Sequence, residues 1–359
     1  MPRGKGNKSR MPRLRRSDLS GHCIHRRRCG KGFSYRWDVG EPIDASTKER
    51  IKSLAIPPAW EEVWICPWPN GHIQAVGTDA RGRHQYLYHD AWRVHRDREK
   101  FERVLSFAGS LATLRRRVKR DIATEELSKV RVLACAVRLL DDGCFRIGGE
   151  QYADENETFG VATLRKEHVQ VAGRTLRFTY PAKGSIERIM EVHDPEAASI
   201  VNTLRHRRSR DGHLFAYKEG GRWVDLKSPD VNAYIKETVG VEFSAKDFRT
   251  WSGTMLAAVV LARAAPAIHL GRTARNRIVA SAVKEVAEYL GNTPIVCRKS
   301  YIDPKVIDLF TSGETVAGTI DALVNLTPPF PRSKRARIEA AVIALLQEDE
   351  GQEILGVAV

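Results

Sequence analysis

The sequence predicts an α+β chain: a small N-terminal β-sheet domain, then a larger, mainly α-helical domain that carries a β-hairpin. Up to about residue 94 short apolar stretches alternate at period two between Pro and Gly turns, and from about Asp97 the apolar residues recur at the helical i, i+3/i+4 spacing. A β-patterned run between helical segments, at 167–180, supplies the hairpin. These shifts divide the chain into a basic segment 1–32, a β-rich domain 33–97, a helical domain 98–325, and a linker with a final helix, 326–359.

Residues 1–32 are rich in Arg, Lys, Gly and Ser. Between Met1 and Arg28 about ten Lys and Arg stand against Asp18 alone, so this segment is expected to be a flexible basic arm. Val63–Trp68 reads as a short strand ended by Pro and the turn Asn70-Gly71, and Ile73–Gly77 as a second. After a turn at Thr78–Arg83, the run His84–His89 alternates, with Gln85 and Leu87 on one face and Tyr86 and Tyr88 on the other. With Arg81 and Arg83 beside them, these tyrosines form either a surface for phosphates and bases or a sheet packed on its own rings. The pattern fits both.

Helical spacing predicts helices at 100–107, 112–122 and 128–140, the last ending in Asp141-Asp142-Gly143. Strands over 167–171 and 174–180 form a hairpin closed by Ala172-Gly173, and the turn after Tyr180 leaves Lys183 near its tip. Helices follow at 195–206, 229–239, 253–264 and 277–290, and a Pro/Arg-rich linker precedes one near 338–347. Gly291 stops the helix before it and Pro294 is expected to prevent its resumption.

The chain has 59 Lys and Arg against 44 Asp and Glu, a net +15, which favours a polyanionic partner, nucleic acid first. Its 42% hydrophobic content is that of a soluble protein; no apolar run reaches about 18 residues, and no apolar stretch follows the basic start to make a signal peptide. No membrane is therefore expected as a partner. The six cysteines contain no C-x-x-C pair, and His22, Cys23, His25 and Cys29 match no common zinc spacing, so no metal is expected. Reduced thiols and a cytoplasmic, nucleoid-associated setting are the expectation.

Five polar residues stand at edges of elements, where a core has no use for them. Arg146 is flanked by Gly143 and by Gly148-Gly149, so backbone can approach it closely; Lys183 sits in its turn; Arg249 lies at the mouth of an apolar helix. Asn292 follows the helix stop, and Tyr301 follows Arg298-Lys299 just before the helix start Asp303-Pro304. Phosphoryl transfer to a protein hydroxyl requires such a set. Guanidinium groups bind non-bridging oxygens and stabilise the charge that builds there, a lysine gives a proton to the departing oxygen, and the tyrosine attacks.

The order and wording of these runs resemble the type IB DNA topoisomerases, in their poxvirus-like bacterial form. The matching runs are Phe145-Arg146-Ile147-Gly148; Tyr152 with Glu155-Asn156-Glu157-Thr158-Phe159-Gly160; Thr163-Leu164; Lys246-Asp247-Phe248-Arg249-Thr250; and Gly291-Asn292-Thr293-Pro294 followed by Tyr301. Gln85-Tyr86-Leu87-Tyr88 is similar to the DNA-contacting strand of that family's N-terminal domain. The resemblance covers roughly 33–320 and leaves the basic arm and the final helix outside the family core.

The resemblance implies the tyrosine recombinase/topoisomerase IB catalytic fold and an active site of Tyr301, Arg146, Lys183, Arg249 and Asn292. Tyr301 would form a 3′-phosphotyrosyl bond and release a 5′-hydroxyl strand. Both arginines would clamp the phosphate, Lys183 would protonate the 5′ oxygen, and Asn292 would donate to a non-bridging oxygen where many relatives carry His. Thr250-Trp251 and Gly253 read as packing for Arg249. Gln85, Tyr86, Tyr88, Arg81, Arg83 and Tyr152 are the candidate DNA contacts. The expected partner is double-stranded DNA, clamped by a monomer, with no cofactor; no G-x-x-x-x-G-K-[ST] loop or Mg²⁺-spaced acidic cluster is visible.

Two rivals remain. A tyrosine site-specific recombinase shares the Arg/Lys/Arg/Tyr logic, but it usually presents His-x-x-Arg where this chain has Lys246-x-x-Arg249, and a helical domain where this chain has β. A basic DNA-binding protein without catalysis leaves the ordered constellation unexplained.

Overall fold

Ile24–Cys29 (β1), Gly32–Trp37 (β2), Glu61–Ile65 (β3), Ile73–Thr78 (β4) and His84–Tyr88 (β5) pair antiparallel in the order β2-β1-β3-β4-β5. They form the centre of a first unit, Met1–Lys100. This computed structural model describes residues 13–355 apart from 151–152, 154–156, 185, 209–211, 266–268, 270, 325–327 and 329, and at 321–324 and 348–355 it describes the backbone alone. Tyr152, Glu155, Asn156 and the first twelve residues of the expected arm lie outside the described residues.

The period-two pattern puts Ile24, Val63, Ile65 and Ala75 on one buried face, closed by Ile51 of helix α1 (Ala45–Ser53). Asp44 starts that helix by accepting a hydrogen bond from the Thr47 amide. Residues 13–32 are not the flexible arm expected of 1–32. β1 lies between β2 and β3 with Ile24 fully buried, and Arg15 bridges to Gly71. The Arg26 guanidinium lies 4.2 Å from the Phe33 ring centroid and donates to the carbonyls of Pro57 (3.0 Å) and Trp60 (2.5 Å). Alternation puts Arg26 on the same face as Ile24, where its stem and guanidinium complete an apolar face that a tally of apolar residues misses.

The second unit is Phe101–Val359, and the division falls inside one 33-residue helix, α2 (Asp90–Ile122). The two helices expected over 100–107 and 112–122 are parts of it. Gly109 sits in its interior, where glycine costs about 1 kcal/mol without ending a helix that packs well. Helix α3 (Lys129–Gly143) begins where the spacing placed it, and Ser128 proves to be its cap. The expected hairpin is Val169–Ala172 (β6) with Thr175–Ala182 (β7), and Ile186–His193 (β8) extends it to a three-stranded sheet. Helix α4 (Pro195–His206) occupies its expected residues, with Asp194 as cap. A second hairpin, Ala216–Glu219 (β9) with Arg222–Asp225 (β10), and helix α5 (Ser228–Val239) follow.

Helix α6 (Ala245–Arg263) is buried on every face from Asp247 to Val259, as expected of a helix at the centre of a large core. Around it lie α7 (Arg272–Leu290), α8 (Pro294–Ser300), α9 (Pro304–Ser312), α10 (Ala317–Val324) and α11 (Arg332–Leu355). The C-terminal helix, which lies beyond the residues of the resemblance, packs into the same hydrophobic core. Ile338, Val342 and Leu346 are buried in the same cluster, and Glu339 pairs with Arg115 (2.6 Å) and Arg335 (3.0 Å), which in turn pairs with Asp141 (2.8 Å). No helix among the described residues is long and apolar enough to cross a membrane.

Candidate active site

Arg146 leaves the end of α3 through Cys144, whose φ of 51° turns the chain back. Its backbone is then pinned by the loop at 160–162: the Val161 amide donates to Arg146 O (2.9 Å) and the Ala162 amide to Ile147 O (2.7 Å). The crossing is glycine on both sides. A Cβ on Gly160 would stand 2.4 Å from Gly148 N and 2.5 Å from Arg146 O, and Gly148 itself has φ +84°. The close approach expected around Arg146 is therefore present, with Gly160 as the partner that the sequence reading quoted only within a motif.

Lys183 is exposed at the turn between β7 and β8, as expected. Arg249 is not at a helix mouth; α6 begins at Ala245, and Arg249 lies in its second turn, 4% exposed. Its Nη1 donates to Cys144 O (2.5 Å) and its Nη2 to Leu290 O (2.8 Å). Gly291, at φ 62°, ends α7, and the Asn292 amide reaches back to Ala287 O (2.9 Å), a Schellman closure. That closure fixes where the Asn292 side chain leaves the helix. Pro294 does not block a further helix but starts α8 at its first turn, where its missing N–H costs nothing. Tyr301 caps α8, its amide bonded to Cys297 O (2.9 Å).

Arg146, Lys183, Arg249, Asn292 and Tyr301 thus line one open cleft of about 480 Å³ in the second unit. Arg249 Cζ stands 5.2 Å from the Tyr301 ring centroid. Arg146 Nη2 donates to Asn292 Oδ1 (2.6 Å) and to Gly291 O (3.0 Å). A guanidinium accepts nothing, so this contact assigns the amide: its oxygen faces Arg146 and Nδ2 is left as a buried donor with no partner among the described residues. Burial, then the like charge of Arg249, pushes the Arg146 guanidinium down to about 10. Arg146 is still charged at neutral pH, at a cost that an anion in the cleft would relieve.

Sequence reasoning missed three contributors. Lys246 lines the cleft one helical turn before Arg249. Arg188 on β8 donates to Glu288 O (3.1 Å) and to Tyr289 O at the end of α7, and nothing local in the sequence marks it. Thr254 Oγ1 donates to Tyr301 O (3.4 Å) and accepts from the Asp303 amide (3.1 Å). Gly253, expected to pack on Arg249, instead underlies the nucleophile candidate; a Cβ there would stand 2.5 Å from Tyr301 O.

In the first unit Tyr86 and Tyr88 are exposed and stacked on each other, centroids 6.0 Å apart. The two rings are thus on the surface and also packed on each other, which fits both readings. Arg83 (2.7 Å) and Gln85 (3.0 Å) both bond Asp79 within their own turn, while the Arg81 side chain is exposed.

Residues 89–313 match the family model of the eukaryotic DNA topoisomerase I catalytic core, and residues 32–79 match that of the bacterial DNA topoisomerase IB N-terminal domain. DNA topoisomerase 1B of Acanthamoeba polyphaga mimivirus is 30% identical over 294 residues, covering 80% of this chain and 87% of that protein. DNA topoisomerase I of Monkeypox virus is 19% identical over 65% of this chain and 71% of its own length. DNA topoisomerase 1 of Schizosaccharomyces pombe is 27% identical over 54% of this chain, which spans 23% of that longer protein. None of these matches favours the recombinase. A single cleft that gathers two arginines, a lysine, an amide and a tyrosine, in a chain matched across both units, identifies it as a member of the type IB DNA topoisomerase family.

Proposed function

We propose that the chain relaxes supercoiled double-stranded DNA, as a monomer, through a transient 3′-phosphotyrosyl bond at Tyr301. One observation carries this reading: five groups far apart in sequence converge on one cleft, and Arg249 stands over the Tyr301 ring.

In the forward step, Tyr301 Oη forms a bond to phosphorus as the bond to the 5′ oxygen breaks. The tyrosine proton passes to solvent, and Lys183 gives its proton to the departing oxygen. Arg146 keeps the donors on Nε and Nη1 for a non-bridging oxygen, since Nη2 is spent on Gly291 and Asn292. Arg249 has bonded Cys144 and Leu290 with one hydrogen from each terminal nitrogen, so it is held rigid beside the tyrosine with charge to spare. A rigid donor array costs no reorganisation as charge develops, which is where electrostatic catalysis gains most. Asn292 Nδ2 donates to the second non-bridging oxygen.

The step exchanges one phosphodiester for another of similar energy, so it reverses without ATP or a metal, and the cut strand rotates before resealing. The second unit carries the tyrosine recombinase/topoisomerase IB catalytic fold, and Tyr86, Tyr88 and Arg81 supply DNA contacts from the first. The test is relaxation of a negatively supercoiled plasmid in EDTA without ATP. Wild type should relax it and Tyr301→Phe should not. Equal relaxation by both removes Tyr301 as nucleophile, and recombination of a two-site substrate without relaxation would restore the rival.

A further inference from the structure

Arg146, Arg188 and Arg249 come from a loop, a strand and a helix, yet all three end on the same turn of backbone. Arg188 donates to Glu288 O and Tyr289 O, Arg249 to Leu290 O, and Arg146 to Gly291 O. These are successive carbonyls at the C-terminal end of α7, where the dipole is negative and the helix supplies no i+4 amide; Glu288 O also accepts from the Gly291 amide (3.1 Å). Among the described residues, no carboxylate lies within ion-pair distance of any of the three guanidinium groups.

A carboxylate would hold such a cluster together, but it would also neutralise the arginines and compete with a phosphate. A helix end holds them with about half an elementary charge spread over neutral groups. It therefore gathers like charges and leaves most of their positive field for an anion. Gly291 is part of the device: a Cβ there would meet Arg188 Nη1 at 3.2 Å.

Two of the three guanidinium groups belong to the proposed catalytic set; Arg188 does not. It sits on β8 opposite Tyr180, whose ring stacks 6.0 Å from Phe145, the residue before Arg146. The same strand leads from the Lys183 turn. We infer that Arg188 is a positioning residue: it locks the last turn of α7 to the β7–β8 hairpin and so sets Asn292 and Arg146 against the phosphate.

This inference rests on the functional reading above, and the experiment separates the two. Single-turnover formation of the covalent protein–DNA complex is measured on a duplex with a nick just downstream of the cleavage site, for the full chain. The variants are Arg188→Gln, Arg188→Lys, Asn292→Ala and Arg188→Gln/Asn292→Ala. Duplex affinity is measured in the Tyr301→Phe background. Arg188→Gln should slow cleavage ~10²-fold, the loss typical of a misplaced catalytic group. Duplex affinity should stay unchanged, and the double variant should be no slower than the slower single, because Arg188 works through the turn that presents Asn292.

Arg188→Lys keeps the charge but reaches one carbonyl in place of two, so it should fall between wild type and Arg188→Gln. It carries the test if Arg188→Gln fails to fold. Multiplicative losses, an affinity that falls in step with the rate, or Arg188→Lys cleaving at the wild-type rate would overturn the inference. If wild type forms no covalent complex through Tyr301, the reading of the site falls instead.

Discussion

Glu339→Gln is a probe of how the C-terminal helix holds the second unit together. The carboxylate is 5% exposed and accepts from Arg115 Nη1 (2.6 Å) and Nη2 (2.8 Å), from Arg335 Nε (3.0 Å) and from Trp251 Nε1 (3.4 Å). Glutamine keeps the shape. In its better orientation the amide oxygen takes the three-bond position and the NH₂ faces Arg115 Nη1, donor against donor. Removing one partner of a buried ion pair costs ~3–5 kcal/mol, and we take about 3 because Arg115 keeps its other partner, Asp141, at 2.7 Å. In a unit of this size each 1 kcal/mol moves Tm by ~2–4 °C, so the melt should fall by ~6–12 °C. Glu285→Gln is the control, a more exposed pair with Arg263 at 2.8 Å that should cost ~0–1 kcal/mol. Thermal melts followed by circular dichroism decide the matter. A Glu339→Gln melt no lower than that of Glu285→Gln would refute the buried network as a structural element.

Gly160→Ala places a methyl against Gly148 N and Arg146 O, so the loop under Arg146 must move; single-turnover cleavage should drop ~10²-fold, and an unchanged rate would sink the argument. Lys183→Ala should cost ~10²–10⁴-fold on an ordinary duplex, yet far less on one whose scissile 5′ oxygen is sulfur, a leaving group that needs no proton; equal deficits on both would remove Lys183 as general acid. The depressed Arg146 guanidinium sets a pH dependence: its folded value of about 10 lies below the unfolded one, so between them the unfolded chain binds more protons and stability rises with pH. Cleavage should do the opposite and fall as pH climbs through about 10, and a flat rate–pH profile across that range would count against a direct role for the charge. Arg81→Ala should flatten the log–log salt dependence of duplex binding by ~0.9, whereas Tyr86→Ala should weaken binding at unchanged slope; the reverse pattern would reassign both side chains.

What the sequence made legible, and what it hid, follows from where each signal resides. Helix starts were readable from apolar spacing, and Ser128 and Asp194 cap helices where that spacing begins. The Gly291 stop and the Asn292 exit were readable too, since a left-handed turn has a short local code. Pro294 carries two meanings, barrier and first residue, and only the Thr293 cap beside it distinguishes them. β1 was hidden because its three arginines look like solvent-loving residues, although the guanidinium of one, Arg26, packs on Phe33 and donates to the Trp60 carbonyl. The five candidate residues that share the cleft were singled out by their chemistry and by resemblance, but their supports were not. Arg188 acts on backbone a hundred positions away, and no spacing rule spans that distance.

The short helix that ends in Tyr301 has one more consequence. α8 is seven residues long and buries only Cys297, while Ile295 and Val296 face outward, 77% and 45% exposed. A helix of that length does not persist on its own in water, so its order is borrowed from its two ends, Thr293 at the start and Thr254 beneath Tyr301 at the finish. Such a segment opens at a lower free energy than the surrounding core, and its amides should exchange hydrogen long before those of α6. The residue that would carry the cut strand therefore hangs on a short helix anchored at its two ends, and that helix should give way before the core beneath it unfolds.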